Sequence, residues 1–363
     1  SDIVLFLNSF NLIYLMKKII IVFLILFIIG YFLRDNVDNL ITGNIISEEI
    51  EEGMIPKDFG EINLYFCPSD DCENALVGMI NKSSEVNCAF FELNLDKVID
   101  TLKDKNYRLV VDDRYIGKVI GNLSNFKSDG KQGLMHNKFC TFDVDGRKFI
   151  STGSMNPTFN DVGKNNNNLV VIESKNLYEN YLEEFNEMWN GEFGSGMEVK
   201  TTKIYFNGFL IENYFCPEDR CEKKVLDVLK MAKNRIYFMT FSFTSDMIGD
   251  EIVRNWHEGI DVKGVFEKMQ AGSEFSEYEK MKDLGMDVKV DSNPKLLHHK
   301  VFIADDIVIL GSYNPTSSGD KKNDENVLII HNKEIAEKFV EEFEIIFYPY
   351  KNSKLYKSVG VNN

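Results

Sequence analysis

Positive charge is what this 363-residue chain is short of: 41 lysines and arginines face 57 aspartates and glutamates, for a net charge of -16. No polybasic coat can be assembled from that, which excludes a protein gripping long nucleic acid by its whole surface. A local basic groove is not excluded, because a cleft occupies little of the surface. Also missing is the interleaving of aromatic and basic residues that stacks single-stranded bases. The five histidines have no carboxylate or cysteine at metal-ligand spacing, so no metal centre is expected from them. The N-terminal apolar stretch lacks a small-x-small cleavage site. Apolar residues are not lacking: at 44% they suffice for a packed core and argue against wholesale disorder.

Lys17-Lys18 precede an apolar run from Ile19 to Leu33, closed by Arg34-Asp35. As a helix, its 15 residues reach about 22 Å, short of the ~30 Å hydrocarbon core. A start at Met16 would make charge followed by apolar run, the order of a signal-type segment. Residues 1–33 therefore read as an uncleaved anchor, with the lysines in the cytoplasm and the bulk of the protein outside. If the segment were cleaved the protein would be secreted; a buried core helix is the competing reading. Residues 34–60, with Glu48, Glu49, Glu51 and Glu52 clustered, read as an acidic tether.

The six cysteines fit an outside location. Cys67-Pro68-x-x-x-Cys72 and Cys216-Pro217-x-x-x-Cys221 are matching pairs, and a turn-setting proline brings each within disulfide reach. A four-cysteine metal site is the alternative, and two copies far apart fit it less well. Cys88 and Cys140 lie in apolar runs and read as buried free thiols.

Those pairs belong to an internal duplication. Leu64–Pro68 answers Asn213–Pro217. Apolar spacing predicts helices over Glu73–Asn81 and Glu222–Lys233, then over Asn94–Lys103 and Ser245–Glu258. Strands are expected at Val86–Leu93, Arg235–Phe243, Tyr107–Val111 and Asp261–Phe266. A further helix is expected near Glu274–Leu284, with a shorter counterpart near Ile116–Leu123. Each half closes with a strand (Leu169–Ile172, Val327–Ile330) and a helix (Asn176–Trp189, Lys333–Phe347). Strands alternating with helices imply an α/β sandwich in each half. Gly153 to Gly311 and Lys164 to Lys322 both span 158 residues, so the closing segments align without insertion. The halves are bounded at 61–194 and 195–348, meeting at the Gly191–Gly196 loop, and 349–363 is a tail.

Both halves carry His-x-Lys-x₄-Asp, as His136, Lys138, Asp143 and as His298, Lys300, Asp305. Each copy is followed by Gly-Ser-x-Asn-Pro-Thr, containing Ser154 and Asn156 in one half and Ser312 and Asn314 in the other. On a strand, His and Lys at i and i+2 share a face. Cleaving a phosphodiester needs a nucleophile, an acid for the leaving oxygen and cations for the phosphoryl oxygens. Two imidazoles supply the first two, Lys138 and Lys300 the charge, and Asn156 and Asn314 amide donors. Ser154 and Ser312 add hydroxyls or shape the turns. A lone buried histidine is ordinarily structural; the paired repetition reverses that. His257, His299 and His331 read as structural or exposed.

Over residues 61–348 the chain resembles the phospholipase D superfamily, which is defined by these duplicated motifs. The compact halves are similar to its small nuclease and cardiolipin-hydrolase branch. The resemblance implies two pseudo-symmetric α/β sandwich halves sharing one active site, no metal or other cofactor, and a phosphohistidine intermediate. It also implies structural roles for Asp143 and Asp305, and a monomer, since both motifs lie in one chain. Glu325 aligns with Asn167, a position where the family often carries the carboxylate that orients a motif histidine. On that basis Glu325 is expected to hold His298 protonated as the acid, leaving His136 as nucleophile.

The expected function is a membrane-anchored, extracytoplasmic phosphodiesterase. Nucleic acid is placed first as substrate by that resemblance; Lys127 and Lys131 before the first motif, and Lys321 and Lys322 after the second, read as solvated loops, with the border of a cleft as the alternative. Phospholipid is placed second, and a non-catalytic binding module third, since no motif His or Lys is lost.

Overall fold

The computed structural model describes residues 55–119, 121–130 and 133–349. The apolar run at 19–33, the tether up to 54, Lys131 and the tail from 350 lie outside them. Among the described residues no helix is long and apolar enough to cross a membrane.

A short strand β1 (Lys57–Asp58) comes first. The first half then runs β2 (Ile62–Cys67), α1 (Cys72–Lys82), β3 (Glu85–Phe90), α2 (Asp96–Lys103), β4 (Tyr107–Val111), β5 (Phe126–Ser128), β6 (Lys138–Val144), β7 (Arg147–Gly153), α3 (Phe159–Gly163), β8 (Asn167–Glu173) and α4 (Lys175–Asn190). The second half opens with β9 (Lys203–Phe206) and β10 (Phe209–Cys216), then α5 (Cys221–Leu229), β11 (Arg235–Thr240), α6 (Asp246–His257), β12 (Asp261–Phe266), α7 (Glu277–Asp283) and β13 (Asp287–Val290). It closes with β14 (Lys300–Ala304), β15 (Ile307–Gly311), α8 (Ser317–Lys321), β16 (Glu325–His331) and α9 (Lys333–Phe347).

Helix starts follow from side-chain caps: Ser174 accepts the Leu177 N–H ahead of α4, Ser245 that of Ile248 ahead of α6, and Asn332 that of Ile335 ahead of α9. The helix expected near Ile116–Leu123 is instead a 3-10 turn at Asp113–Lys118, because the Asp112 carboxylate caps Arg114 and starts the turn early.

The first sheet is ordered β2-β8-β7-β6-β3-β4-β5, and the second β1-β9-β10-β16-β15-β14-β11-β12-β13. Thus β1, which precedes the first half in the chain, pairs in the second half's sheet. Between the sheets lie α4 and α9, whose Leu177, Tyr181, Phe185, Phe339 and Phe343 pack with Ile150 and Val170 of one sheet and Val308 and Leu328 of the other. Burying each such side chain contributes about 1.5–3 kcal/mol, so this shared core joins the halves strongly. The outer face of the first sheet is covered by α1 and α2, and that of the second by α5, α6 and α7.

Three disulfides are formed. Cys67–Cys72 and Cys216–Cys221 tie β2 to α1 and β10 to α5, as their spacing predicts. Cys88 and Cys140 are not free thiols. They stand directly opposite in the antiparallel β3–β6 pair, with Cα atoms 4.1 Å apart, and are bonded. Their counterparts in the second half, the paired Phe238 and Phe302, are apolar, which is why the repeat gave no hint of a bond.

Candidate active site

The site is assembled at one edge of the two sheets, where β3 and β11 end and β6 and β14 begin. Strands start at Lys138 and Lys300, so each motif histidine lies just before its strand instead of on it. Each histidine is set by the opposite half. The His136 N–H donates to Asp324 O at 3.0 Å, and the His298 N–H donates to Asn166 O at 2.7 Å. Isolated parallel bridges, Met135 to Asp324 and Asn166 to Leu297, make the same crossing.

The Gly-Ser turns are forced by close backbone approach. Gly153 has φ +139° and Gly311 +142°; a Cβ there would meet the Asn168 and Asn326 carbonyl oxygens at 2.4 and 2.2 Å. The serines pin the next strand: Ser154 Oγ accepts from the Asn168 N–H at 3.1 Å and Ser312 Oγ from the Asn326 N–H at 2.9 Å. Asn156 and Asn314 each keep a buried side-chain oxygen without a partner.

Around the histidines the two halves match closely. The Phe91 ring stands edge-on to His136 at 4.6 Å, and Phe241 to His298 at 5.0 Å. Lys138 Nζ donates to His136 O at 2.5 Å and Lys300 Nζ to His298 O at 2.9 Å. Each ammonium lies 5.0 Å from the centroid of its phenylalanine. The remaining N–H groups of each lysine are available to an anion.

The carboxylates break the match. Glu325, buried in β16, contacts His136 Nδ1 at 2.7 Å, not His298 as expected from the alignment. The crossing of the halves is the reason: Glu325 follows Asp324, whose carbonyl already holds His136. Facing His298 is Asp161, in α3, with Oδ2 3.4 Å from Nδ1. No motif position announces Asp161, because its repeat partner is Gly319. Phe91 and Phe241, by contrast, occupy equivalent places after β3 and β11 and were open to a repeat comparison.

Burial and the two lysines hold the His136 imidazolium well below its ordinary value. Burial and Lys300 bring His298 down to about 4, with Asp161 pulling the other way. Burial likewise raises Glu325 to about 8 and lowers Lys138 to about 8. Burial, then Lys138, takes Lys300 well down. A buried site with two ammonium groups and neutral imidazoles is built to receive an anion.

Asp143 and Asp305 lie at the far strand ends. Asp143 accepts from Gly146 N–H and pairs with Lys148; Asp305, at φ +52°, accepts from the N–H groups of Lys233, Asn234 and Arg235. His299 is buried between Asn168 and Glu342, and His331 pairs with Glu212. Lys127, exposed in β5, donates its Nζ to Trp189 O at 2.5 Å. Among the described residues two acidic groups have spacing that could hold a metal ion, Asp112, Asp113, Asp129 and Glu184, Glu187, Glu218, and neither contains a motif residue.

The chain matches the family model described as "Cardiolipin synthase, PLD-like domain" twice, over residues 77–189 and 225–347. It is 28% identical over 134 residues to the phospholipase D of Rickettsia typhi, covering 37% of this chain and 66% of that protein. It is 30% identical over 132 residues to human mitochondrial cardiolipin hydrolase, covering 36% of this chain and 52% of that protein. The chain thus spans two thirds or less of the length of these relatives. Among solved structures, the phosphatidylserine synthase of Haemophilus influenzae shares the fold, with a TM-score of 0.57 at 11% identity over 77% of this chain and 85% of that one. With both family matches falling on the two halves that carry the doubled motif, the chain belongs to the phospholipase D superfamily.

Proposed function

We propose that the protein hydrolyses phosphodiesters without a metal, through a phosphohistidine on His136, with His298 as general acid and then general base. One observation carries this: two buried imidazoles, each backed by a carboxylate, share a site with Lys138 and Lys300. With the proton shared by the pair lying on Nδ1 and donated to Glu325, His136 Nε2 keeps its lone pair to attack phosphorus. A bound phosphodiester anion pushes His298 and both lysines back up, so His298 carries the proton when the leaving oxygen needs it. The lysines and the Asn156 and Asn314 amides take the growing phosphoryl charge. Ser154 and Ser312 hold the turns that present those amides.

For substrate we place a phospholipid ahead of a nucleic acid, reversing the order read from the sequence. A polymer of phosphates needs successive cations, and beyond the site's own Lys300, Glu325 and Asp161 the charged neighbours that act on Lys138 are Asp112 and Glu92, with Arg114 already paired to Asp112. The helix starts and loops at the same edge instead expose apolar side chains: Phe159, Met247, Met269 and Phe275 are each more than half exposed. The three disulfides support a location outside the cytoplasm, and the apolar run at 19–33 supports attachment to a membrane. Because both motifs lie in one chain, a monomer suffices.

The test is a substrate panel in EDTA: phosphatidylcholine and cardiolipin vesicles against single- and double-stranded DNA and RNA. Release of a lipid headgroup with the nucleic acids untouched is expected. Cleavage of nucleic acid alone reverses the substrate order, and activity that returns only with a divalent ion contradicts the mechanism.

A further inference from the structure

We infer that Asp161 is the positioning residue for His298, a carboxylate displaced six residues along the chain from the place the repeat reserves for it. This rests on the phosphohistidine reading above. In the second half, the bridge residue Asp324 holds the His136 N–H and the next residue, Glu325, bonds its ring. In the first half, Asn166 holds the His298 N–H in the same way, so Asn167 occupies the place for its partner. Asn167 is an amide, and its Nδ2 donates to Asp161 O at 2.8 Å and Asn165 O at 3.0 Å. It supplies no anion.

Asp161 does. Its side chain is buried and faces His298 Nδ1. The position can hold a side chain only in the first half. A Cβ at the equivalent Gly319 would meet Asn314 O at 2.3 Å, so the second half must draw its carboxylate from β16. Asp161 is also fixed in place. Oδ2 accepts from Asn156 N at 2.7 Å and Asn156 Nδ2 at 2.9 Å, and Oδ1 accepts from Asn165 Nδ2 at 2.6 Å. One carboxylate therefore links Asn156 of the Gly-Ser turn to the histidine of the other half.

The two couples are unequal. Glu325 and His136 meet at 2.7 Å; Asp161 and His298 meet at 3.4 Å without a hydrogen bond of good geometry at Nδ1. A tight couple fixes the ring of a nucleophile. A looser ionic one favours the imidazolium while leaving it free to release a proton. In the first step, the His136 Nε2 lone pair forms the N–P bond, the P–O bond breaks, and the His298 proton goes to the departing oxygen. In the second, water oxygen attacks phosphorus, its proton returns to His298, and the N–P electrons return to His136.

The bland alternative is that Asp161 only pins the turn at Asn156. Leaving groups separate the two. Asp161→Asn and the milder Asn165→Ala are assayed on an alkyl phosphodiester, which needs an acid, and on its p-nitrophenyl analogue, which does not. We expect Asp161→Asn to lose ~10²-fold in the single-turnover rate of leaving-group release on the alkyl ester and under about 3-fold on the activated one, Asn165→Ala shifting the same way by less. The high-pH limb on the alkyl ester should move to lower pH, since His298 without Asp161 gives up its proton earlier, and adding Asn167→Glu to Asp161→Asn should restore about tenfold or more on that ester. Because the ratio is taken within each variant, partial misfolding does not affect it. Equal losses on both esters, with no rescue by Asn167→Glu, would overturn the assignment. Whether wild type is labelled on a histidine tests the phosphohistidine reading separately, since the split between esters requires no trapped intermediate.

Discussion

A single proton decides what each ionisable side chain of this site can do. Lys138 holds its charge only below about pH 8, because burial outweighs the pull of Glu325 and Asp161. Its pKa is lowered, so the cation is complete well below 8 and is lost as pH rises through it. For an unreactive phosphate analogue such as tungstate, Lys138 should add to the pH dependence only above about 8, steepening the fall in affinity by about tenfold per pH unit, one proton per ligand. Titration calorimetry of wild type and Lys138→Gln checks this, since the ratio of their affinities should be level below the break and shrink above it. On the proposed division of labour Glu325 backs the nucleophile, His136, so Glu325→Gln should slow phosphoenzyme formation about 10²-fold on activated and alkyl esters alike. Stopped-flow release of p-nitrophenol reads that loss directly. A loss confined to the alkyl ester would return Glu325 to the acid, the role assigned to it by alignment.

At the scale of elements, what was legible in the sequence was what repeats. The 3.6-residue apolar spacing located α4 and α9, and the doubled Gly-Ser turn located the ends of β7 and β15, where close contact with Asn168 and Asn326 leaves room only for glycine. What differs between halves was hidden. Asp161 has a glycine for its counterpart, and the Cys88–Cys140 bond replaces a pair of phenylalanines, so a comparison of halves passes over both. Which half serves which histidine was hidden too, because the exchange is made by backbone carbonyls of Asp324 and Asn166 that no side-chain pattern encodes. The hidden bond joins the strand that carries Lys138 to its neighbour across 52 residues of chain. Replacing Cys88 and Cys140 together by alanine should lower stability by about 2–4 kcal/mol. Losing Cys67–Cys72, which closes only a short loop, should cost less. Urea midpoints of the two double variants give the order, and a larger loss for the short loop would contradict it.

For the whole molecule, the duplication explains why one chain carries both motifs. Each histidine is fixed by a carbonyl, and backed by a carboxylate, from the other half, while α4 and α9 bury their aromatic faces in a common core. Two equal halves would give two equal histidines; the substitution of Asn167 for an acid, with Asp161 in its stead, makes them unequal and allows a division of labour. Rapid quench with a labelled, activated phosphodiester, followed by peptide mapping, tests that division most directly. The account predicts acid-labile phosphate on His136 in wild type, none in His136→Asn, and label on His136 that forms and then stalls in His298→Asn. Label on His298 in the wild-type protein, or turnover with no labelled histidine at any time, would contradict it.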